Sequence, residues 1–519
     1  MKMYRSLLPV LAMGLPLSAA DFATGIRAVL PPAEKAVAPA PVAAPAETPA
    51  ETAKAVETPA PEVSTAMAKV ELSYTDDAGP AADVTPAAHA EEYKRFCTML
   101  KEQAEKNLYD FCPAMEQVLK ATNDPFAVEA WMDKAAKEGL AAAQQYMADK
   151  RLVNVRMDAL QAADVKAAYA LARKAADAGY DPAKVNVYMC LKNGVGVVKD
   201  EKGAEKYILN ACKGGGFIPR FKWLQLSGRL TTYDDRERAE VKAELERKND
   251  HVAYYIAHLA PTAADKVEWY RKAAELGNAE ALYALSVMVT ERDPKAGFEL
   301  LKEAIKHHSS DAMLDLATAL TEGDPNALVM KQAGIGHDDV TGRHLAKLAG
   351  MLGNAKACFW LGHVCHDGAY GMRKDDAAAY RWFEKGALAG SLACGTSQGV
   401  MLLTGLGTEQ QVKQGLAHLN AAANAGSPHA VVGLAYALYN GLGTDKNARK
   451  AAEILQEAAA MGNPEAYIYM AYITAKGGAD LPADAKRAER YVRLASLDMK
   501  DEAKQMYEKL MAEGWTLEP

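Results

Sequence analysis

Small apolar residues alternate with large ones at helical steps over most of this chain, and polar or glycine-containing turns interrupt the runs. In the stretch Lys272–Leu282, Ala273, Ala274 and Ala281 allow backbones to approach closely, while Leu276, Leu282 and Leu285 fill the space between helices. Gly277 follows the first run, where a helix C-terminus favours the left-handed conformation, and the next helix begins two or three residues later. The joint is marked by Ala, two residues, then Gly. The mark recurs at Gly353, Gly390, Gly426 and Gly462, at steps of 37, 36 and 36, and the next step of 36 falls on Asp498. A fixed period of this length predicts an all-α fold, an α/α solenoid of stacked antiparallel helix pairs.

Upstream the beat is irregular. Marks fall at Gly139, Gly179, Gly215 and Gly277, and then His308 holds the glycine slot. The step of 62 between Gly215 and Gly277 leaves a surplus of about 26 residues, which suggests a degenerate or inserted unit containing the charged stretch Asp234–Asp250. About ten units are expected. A polar helical stretch from Glu91 to Leu108, and a second after Pro113, predict a capping hairpin over residues 91–124. Degenerate units then span 125–340 and regular ones 341–519.

A second joint also repeats, at Gly194–Val197, Gly405–Thr408, Gly441–Thr444 and, as a variant, Gly368–Gly371. These turns lack the Lys-Ser/Thr ending and preceding strand of a phosphate loop, so they are read as structural. With both joints in place the chain resembles the Sel-1-like repeat, an α/α relative of the tetratricopeptide repeat. Ala357, Leu361, Gly362, Gly368, Gly371, Ala378, Trp382, Lys385 and Gly390 stand in the matching slots. The resemblance implies a curved superhelix that serves as an adaptor or scaffold for other proteins. A secreted branch of that family implies cysteines paired eight residues apart; here Cys212, Cys358 and Cys394 would need partners at Arg220, Gly350 and Gly386, and none is a cysteine.

The first ninety residues follow another pattern. Lys2 and Arg5 precede an apolar run from Leu7 to Leu17 and small residues up to Ala20, which predicts a signal peptide over 1–20 and a periplasmic or secreted protein. Residues 21–90 are rich in Pro and Ala and poor in large apolar side chains, so they are expected to form a disordered linker, whether a tether or a plain spacer. The whole chain is half hydrophobic and low in aromatics, which suits helices. A formal net charge of -7 gives no basic excess for nucleic acid, and no membrane contact is expected once the signal is removed.

Candidate chemistry is sparse, and no cofactor motif is present. Equivalent slots of successive repeats hold His363, Val400, Tyr436 and Tyr472. Two readings fit this stripe, extended to Tyr439, Tyr467 and Tyr469: a face for a protein or peptide partner, or side chains packed on the neighbouring helix. His363, Cys365 and His366 are close enough in sequence to be considered as metal ligands, although Cys365 occupies a slot expected to be buried. Among seven cysteines, Cys97 and Cys112 are the most plausible disulfide, while Cys358 and Cys394 are expected roughly 9 to 10 Å apart, beyond a disulfide's reach. No nucleophile elbow, Ser-x-x-Lys set or zinc-protease helix occurs, so no enzyme is expected. The expected function is an exported interaction scaffold; the alternatives are a cell-wall or β-lactam-interacting protein with weak β-lactamase-like activity and a structural envelope spacer.

Overall fold

The computed structural model describes residues 83–152, 159–213, 217–226, 239–290, 292–322 and 337–512. The expected signal peptide, the linker up to residue 82 and the mark at Gly215 lie outside them. Among the described residues there are 24 helices and no strand. The first two are α1 (Ala90–Glu105) and α2 (Cys112–Thr122). Eleven pairs follow, beginning with α3 (Ala127–Lys137) and α4 (Ala141–Leu152), α5 (Ala163–Asp177) and α6 (Asp181–Asn193), and α7 (Glu201–Lys213) and α8 (Phe217–Leu226). Next come α9 (Ala239–Glu246) and α10 (Asp250–Leu259), α11 (Ala263–Glu275) and α12 (Ala279–Thr290), and α13 (Pro294–Lys306) and α14 (Ser310–Glu322). The regular end holds α15 (Asp339–Met351) and α16 (Ala355–Asp367), α17 (Asp376–Leu388) and α18 (Leu392–Thr404), and α19 (Val412–Asn424) and α20 (Pro428–Asn440). It closes with α21 (Ala448–Ala460) and α22 (Glu465–Lys476), then α23 (Ala485–Ala495) and α24 (Lys500–Ala512).

The mark works through backbone geometry. At Gly353 (φ +92°) the chain turns left-handed, the Asn354 N–H donates to Ala349 O at 3.0 Å, and the Gly353 N–H donates to Gly350 O at 3.1 Å. This Schellman arrangement satisfies carbonyls that the helix end would otherwise leave open. The next residue then caps the following helix, as Asn354 Oδ1 accepts from the Ala357 N–H and Ser391 Oγ from the Cys394 N–H. The second joint needs glycine for a further reason. A β-carbon on Gly407 (φ +68°) would lie 2.0 Å from Asp376 O, and one on Gly196 2.6 Å from Val165 O, so each turn rests directly on the start of the pair's first helix.

The 62-residue step hides a whole unit. Lys248 (φ +60°) takes the left-handed position between α9 and α10, with Asn249 N–H donating to Glu244 O and Lys248 N–H to Leu245 O. The joint is therefore complete without its glycine. His308 (φ +67°) does the same between α13 and α14. Among the described residues there are thus eleven pairs besides α1 and α2, against about ten units expected.

Second helices of consecutive pairs touch in series along the regular end, α16 on α18, α18 on α20, α20 on α22 and α22 on α24. The N-terminal hairpin does more than cover an end. Trp131 of α3 lies fully buried, edge-on to Tyr93 and Phe96 of α1, and its Nε1 donates to Val84 O at 2.9 Å. Meanwhile α2 packs on α15, more than two hundred residues away. Lys347 Nζ donates to Asn123 Oδ1 at 3.2 Å, and Phe126 meets Trp382 at 4.7 Å between ring centroids, with the Arg381 guanidinium 3.8 Å from its ring centre. From Thr341 to Gly350 every residue of α15 is buried, the charged Arg343 and Lys347 included. One turn of the solenoid is therefore closed by its own N-terminal helices.

The two kinds of glycine should respond differently to alanine. Gly390→Ala meets no neighbour within 4 Å, so only its φ of +88° is strained, at about 1–2 kcal/mol. Gly407→Ala adds a backbone clash and should cost about 1–3 kcal/mol more. Denaturant unfolding with repeat-resolved hydrogen exchange checks this; equal losses would contradict the close approach of the Gly407 turn.

Candidate interaction surface

The proposed stripe does not form one exposed face. His363 and Val400 are buried at 2% and 3% exposure, whereas Tyr436 and Tyr472 are half-buried. Gly362 and Gly399 explain the difference, because their missing side chains admit Phe383 and Leu419 from the next helices, which lie over these parts of α16 and α18. His363 sits edge-on between Phe359 and Phe383, at 4.5 and 5.2 Å between ring centroids. Burial lowers its pKa to about 3, helped by His366, so the ring is neutral. As a partner-binding residue His363 is therefore corrected to a core residue.

The metal candidate fails for the same reason. The His366 Nδ1 is engaged by Asp376 Oδ1 at 2.5 Å, and Cys365 is buried, its thiol pKa raised to about 12 by burial. Two residues from His363 along a helix, Cys365 faces away from it, so the three do not converge. Among the described residues no group of three His, Cys, Asp or Glu is arranged to hold a metal ion.

Nor do Cys97 and Cys112 pair; both thiols are free. Cys97 lies on α1 beside Tyr93, whereas Cys112 opens α2 inside the apolar core. The eight-residue spacing is nevertheless visible as geometry. Cys358 Sγ is 3.6 Å from Gly350 O, and a β-carbon on Gly386 would meet Cys394 Sγ at 2.3 Å and Cys358 Cβ at 3.0 Å. Cys358 and Cys394 thus converge on Gly386 from either side, closer than the spacing of helix axes suggested, yet both remain free and buried.

The tyrosines gather at the C-terminal end. Tyr439 of α20 and Tyr472 of α22 meet edge-on at 6.0 Å, and Tyr439 Oη donates to Gly477 O at 3.1 Å. Lys509 Nζ of α24 lies 5.0 Å from the Tyr472 ring centre. Tyr436 is half-buried, and burial raises its pKa, with Tyr472 adding to the effect. Tyr467 stacks on Tyr491 at 6.5 Å, and Tyr469 is buried at 5% exposure, which removes it from any surface. What remains is a half-buried aromatic seam of Tyr436, Tyr439 and Tyr472, edged by a lysine.

Sequence reasoning missed a second constellation. Asp149 of α4 accepts from Tyr109 Oη at 2.7 Å, from Gln145 Nε2 at 3.0 Å and from Asn186 Nδ2 of α6; burial raises its pKa, against these three hydrogen bonds. Tyr283 of α12 makes a like contact with Asp315 of α14 at 2.7 Å. The signal was available, since Asp149 lies ten residues past the mark at Gly139, the same offset as Tyr436 from Gly426. Among the described residues no helix is long and apolar enough to cross a membrane.

This architecture of stacked pairs, nine of the eleven described ones with a left-handed joint, defines an α/α repeat protein. Eight of its segments, between residues 160 and 497, are Sel1 repeats. The Sel1 repeat model matches residues 160–180, 188–216, 267–278, 279–309, 355–391, 395–427, 428–463 and 464–497. The unmatched stretch 217–266 contains the unit jointed at Lys248. Among solved structures, a protective antigen present in uropathogenic Escherichia coli strains, displaying an SLR fold, is 20% identical, with 80% of this chain and 90% of that one covered at a TM-score of 0.42. A Sel1 repeat protein from Oxalobacter formigenes is 20% identical over 66% of this chain and 90% of its own, at 0.33. Yeast Tom70 is 12% identical over 82% and 96%, at 0.27. No curated protein matches the chain.

The His363 assignment carries a pH dependence. Its folded pKa of about 3 lies below the ordinary 6.5, so the unfolded chain takes up a proton that the folded chain refuses. Stability is lost as pH falls from about 6.5 towards 3, at no more than about 1.4 kcal/mol per pH unit from this ring. His363→Leu should remove that component, so its stability relative to the parent rises on acidification; urea unfolding at several pH values reads it. A pH-independent difference would place the ring in water.

Proposed function

We propose that this protein is an exported, non-enzymatic scaffold that binds another protein or a peptide along the second helices of its regular end. The observation that carries the reading is the seam of Tyr436, Tyr439 and Tyr472, which keeps part of three aromatic rings and the Lys509 ammonium at the surface on consecutive second helices. Aromatic side chains offer large apolar area with few rotamers to immobilise, which suits recognition of an apolar or aromatic segment. Lysine at the edge favours a partner that also carries a carboxylate. Upstream, the second helix α4 is packed on by α1, and the loop between α1 and α2 hydrogen-bonds to α4 and to the start of α6. The fold is that of proteins that commonly act through protein contacts, and the sequence carries no nucleophile elbow or Ser-x-x-Lys set.

Cross-linking in an envelope extract should recover a saturable partner joined to residues of α20, α22 or α24. Tyr436→Ala with Tyr472→Ala should weaken its binding about tenfold or more, since each half-buried ring contributes on the order of 1–2 kcal/mol. A double variant that folds, by its thermal transition, and binds as tightly as the parent refutes the seam as the site. Export rests on the pattern of Lys2, Arg5, the apolar run and Ala20. The mature chain, sequenced from its N-terminus, should begin at Asp21; a cytoplasmic chain that retains Met1 refutes export.

A further inference from the structure

The loop between α1 and α2, residues 106–111, touches three separate parts of the solenoid. Tyr109 Oη donates to Asp149 Oδ2 of α4 at 2.7 Å, and Phe111 meets Tyr146 of the same helix at 5.4 Å between ring centroids. At the start of α6, Tyr180 Oη donates to Leu108 O at 2.6 Å and the Asp181 N–H to Asn107 Oδ1 at 2.9 Å. The third contact lies 198 residues further on, where His308 Nδ1 is 2.6 Å from Asp110 Oδ2 at the joint of α13 and α14. Asp110 Oδ1 accepts from the Cys112 N–H at 3.1 Å, so one carboxylate both starts α2 and holds the joint.

The residue at that joint is unexpected. Most marked joints of the solenoid carry glycine, which takes a positive φ without strain, yet His308 holds φ +67° with a β-carbon. A glycine there would relieve the backbone and lose the imidazole. The strained residue supplies the only side chain of the joint that reaches the N-terminal loop. Leu108 and Tyr109 are about half exposed in that loop, while Phe111 at its end is buried against Tyr146.

We propose that residues 106–111 form a latch that lies over α4 and α6 and closes the first turn of the solenoid, and that protonated His308 holds the latch shut through Asp110. The surroundings of His308 suit a cation. Asp110 and Glu116 face it from the loop and α2, Glu116 being paired with Lys120 at 2.8 Å. On its own side, Glu303 is shared by Lys306 at 3.1 Å and His307 at 3.4 Å, His307 turning towards Gly277, while Glu280 is reached through Ser309. The hydrogen bond with Asp110 raises the His308 pKa above its ordinary 6.5, outweighing burial, which lowers it. A raised folded value means that the contribution is complete below about 6.5 and is lost as pH climbs through the folded value. The latch therefore closes in acid and loosens as pH climbs through the folded value, uncovering Asp149 and Asn186 on the faces of α4 and α6. The packing of α2 on α15 is separate from the loop and stays in place. This device does not depend on the partner proposed for the C-terminal seam.

Hydrogen exchange read by mass spectrometry tests it on the full chain, with rates corrected for intrinsic pH effects and α20 to α22 as the internal reference. In the parent, protection of residues 103–113 should fall about tenfold or more between about pH 6 and about pH 8.5, the range expected for one charge-assisted hydrogen bond. His308→Gly and Asp110→Asn should both show the low protection already at the acid end, with no further pH dependence. His308→Gly restores the joint's usual residue, so α13 and α14 should keep their protection; Asp110→Asn, which leaves that joint untouched, decides the matter if they do not. Parent protection that stays flat with pH, or acid-end protection of the loop that survives in Asp110→Asn, overturns the latch.

Discussion

Most of this solenoid depends on one backbone event, the left-handed residue that, in nine of the eleven described pairs, ends the first helix and turns the chain directly into the second. At Gly353, Gly390, Gly426 and Gly462 the same pair of hydrogen bonds closes the helix end, and the next residue stands ready to cap the helix that follows. The short connection fixes where the second helix lies on the first, and alanines at the contact bring the two backbones close. Leucines and aromatics then fill what space remains. Once each pair has a set shape, stacking is determined largely by the second joint, where the Gly407 and Gly196 turns lie on a carbonyl of the first helix with no room for a side chain.

The architecture was legible because this constraint leaves a residue-level trace wherever glycine fulfils it. It was illegible where another residue does. Lys248 adopts the same conformation at a cost of about 1–2 kcal/mol, small against the packing of a whole helix pair, so its unit showed in the sequence only as a surplus of residues without a glycine mark. His308 was visible as a departure, but its purpose was not, because Asp110 lies 198 residues away and no period links them. The closure of α2 on α15 was hidden for the same reason. A helix carrying Arg343, His344 and Lys347 reads as a surface helix; it is buried because remote Asn123 meets Lys347 and the turn at Tyr370 receives Arg343.

The candidate stripe shows the limit of equivalence between repeats. His363, Val400, Tyr436 and Tyr472 share one slot, yet two are core and two reach the surface. The slot alone does not decide this. Its neighbour does, since Gly362 and Gly399 let Phe383 and Leu419 close over the helix. Tyr436 follows Ala435 rather than a glycine and keeps part of its ring in water, while Leu419 packs at Gly433, three residues earlier on the same helix. The cysteines make the same point: positions eight apart do lie side by side, but Gly350 and Gly386 stand where a second sulfur would be needed.

A repeat array in which each unit touches only its neighbours gains stability by adding units, and its ends open first. Closing a turn changes that balance. Asn123, Phe126 and Asp110 tie the N-terminal helices to units carrying Lys347, Trp382 and His308, so units far apart in sequence share interfaces and should unfold together. The pairs beyond α18 have no such second neighbour among the described contacts and behave as an ordinary open array. Rigidity at one end and accessibility at the other thus follow from the same long-range contact. A surface meant for a partner is best placed on the open units, where ordering a few half-exposed tyrosines disturbs nothing that the closed turn depends on.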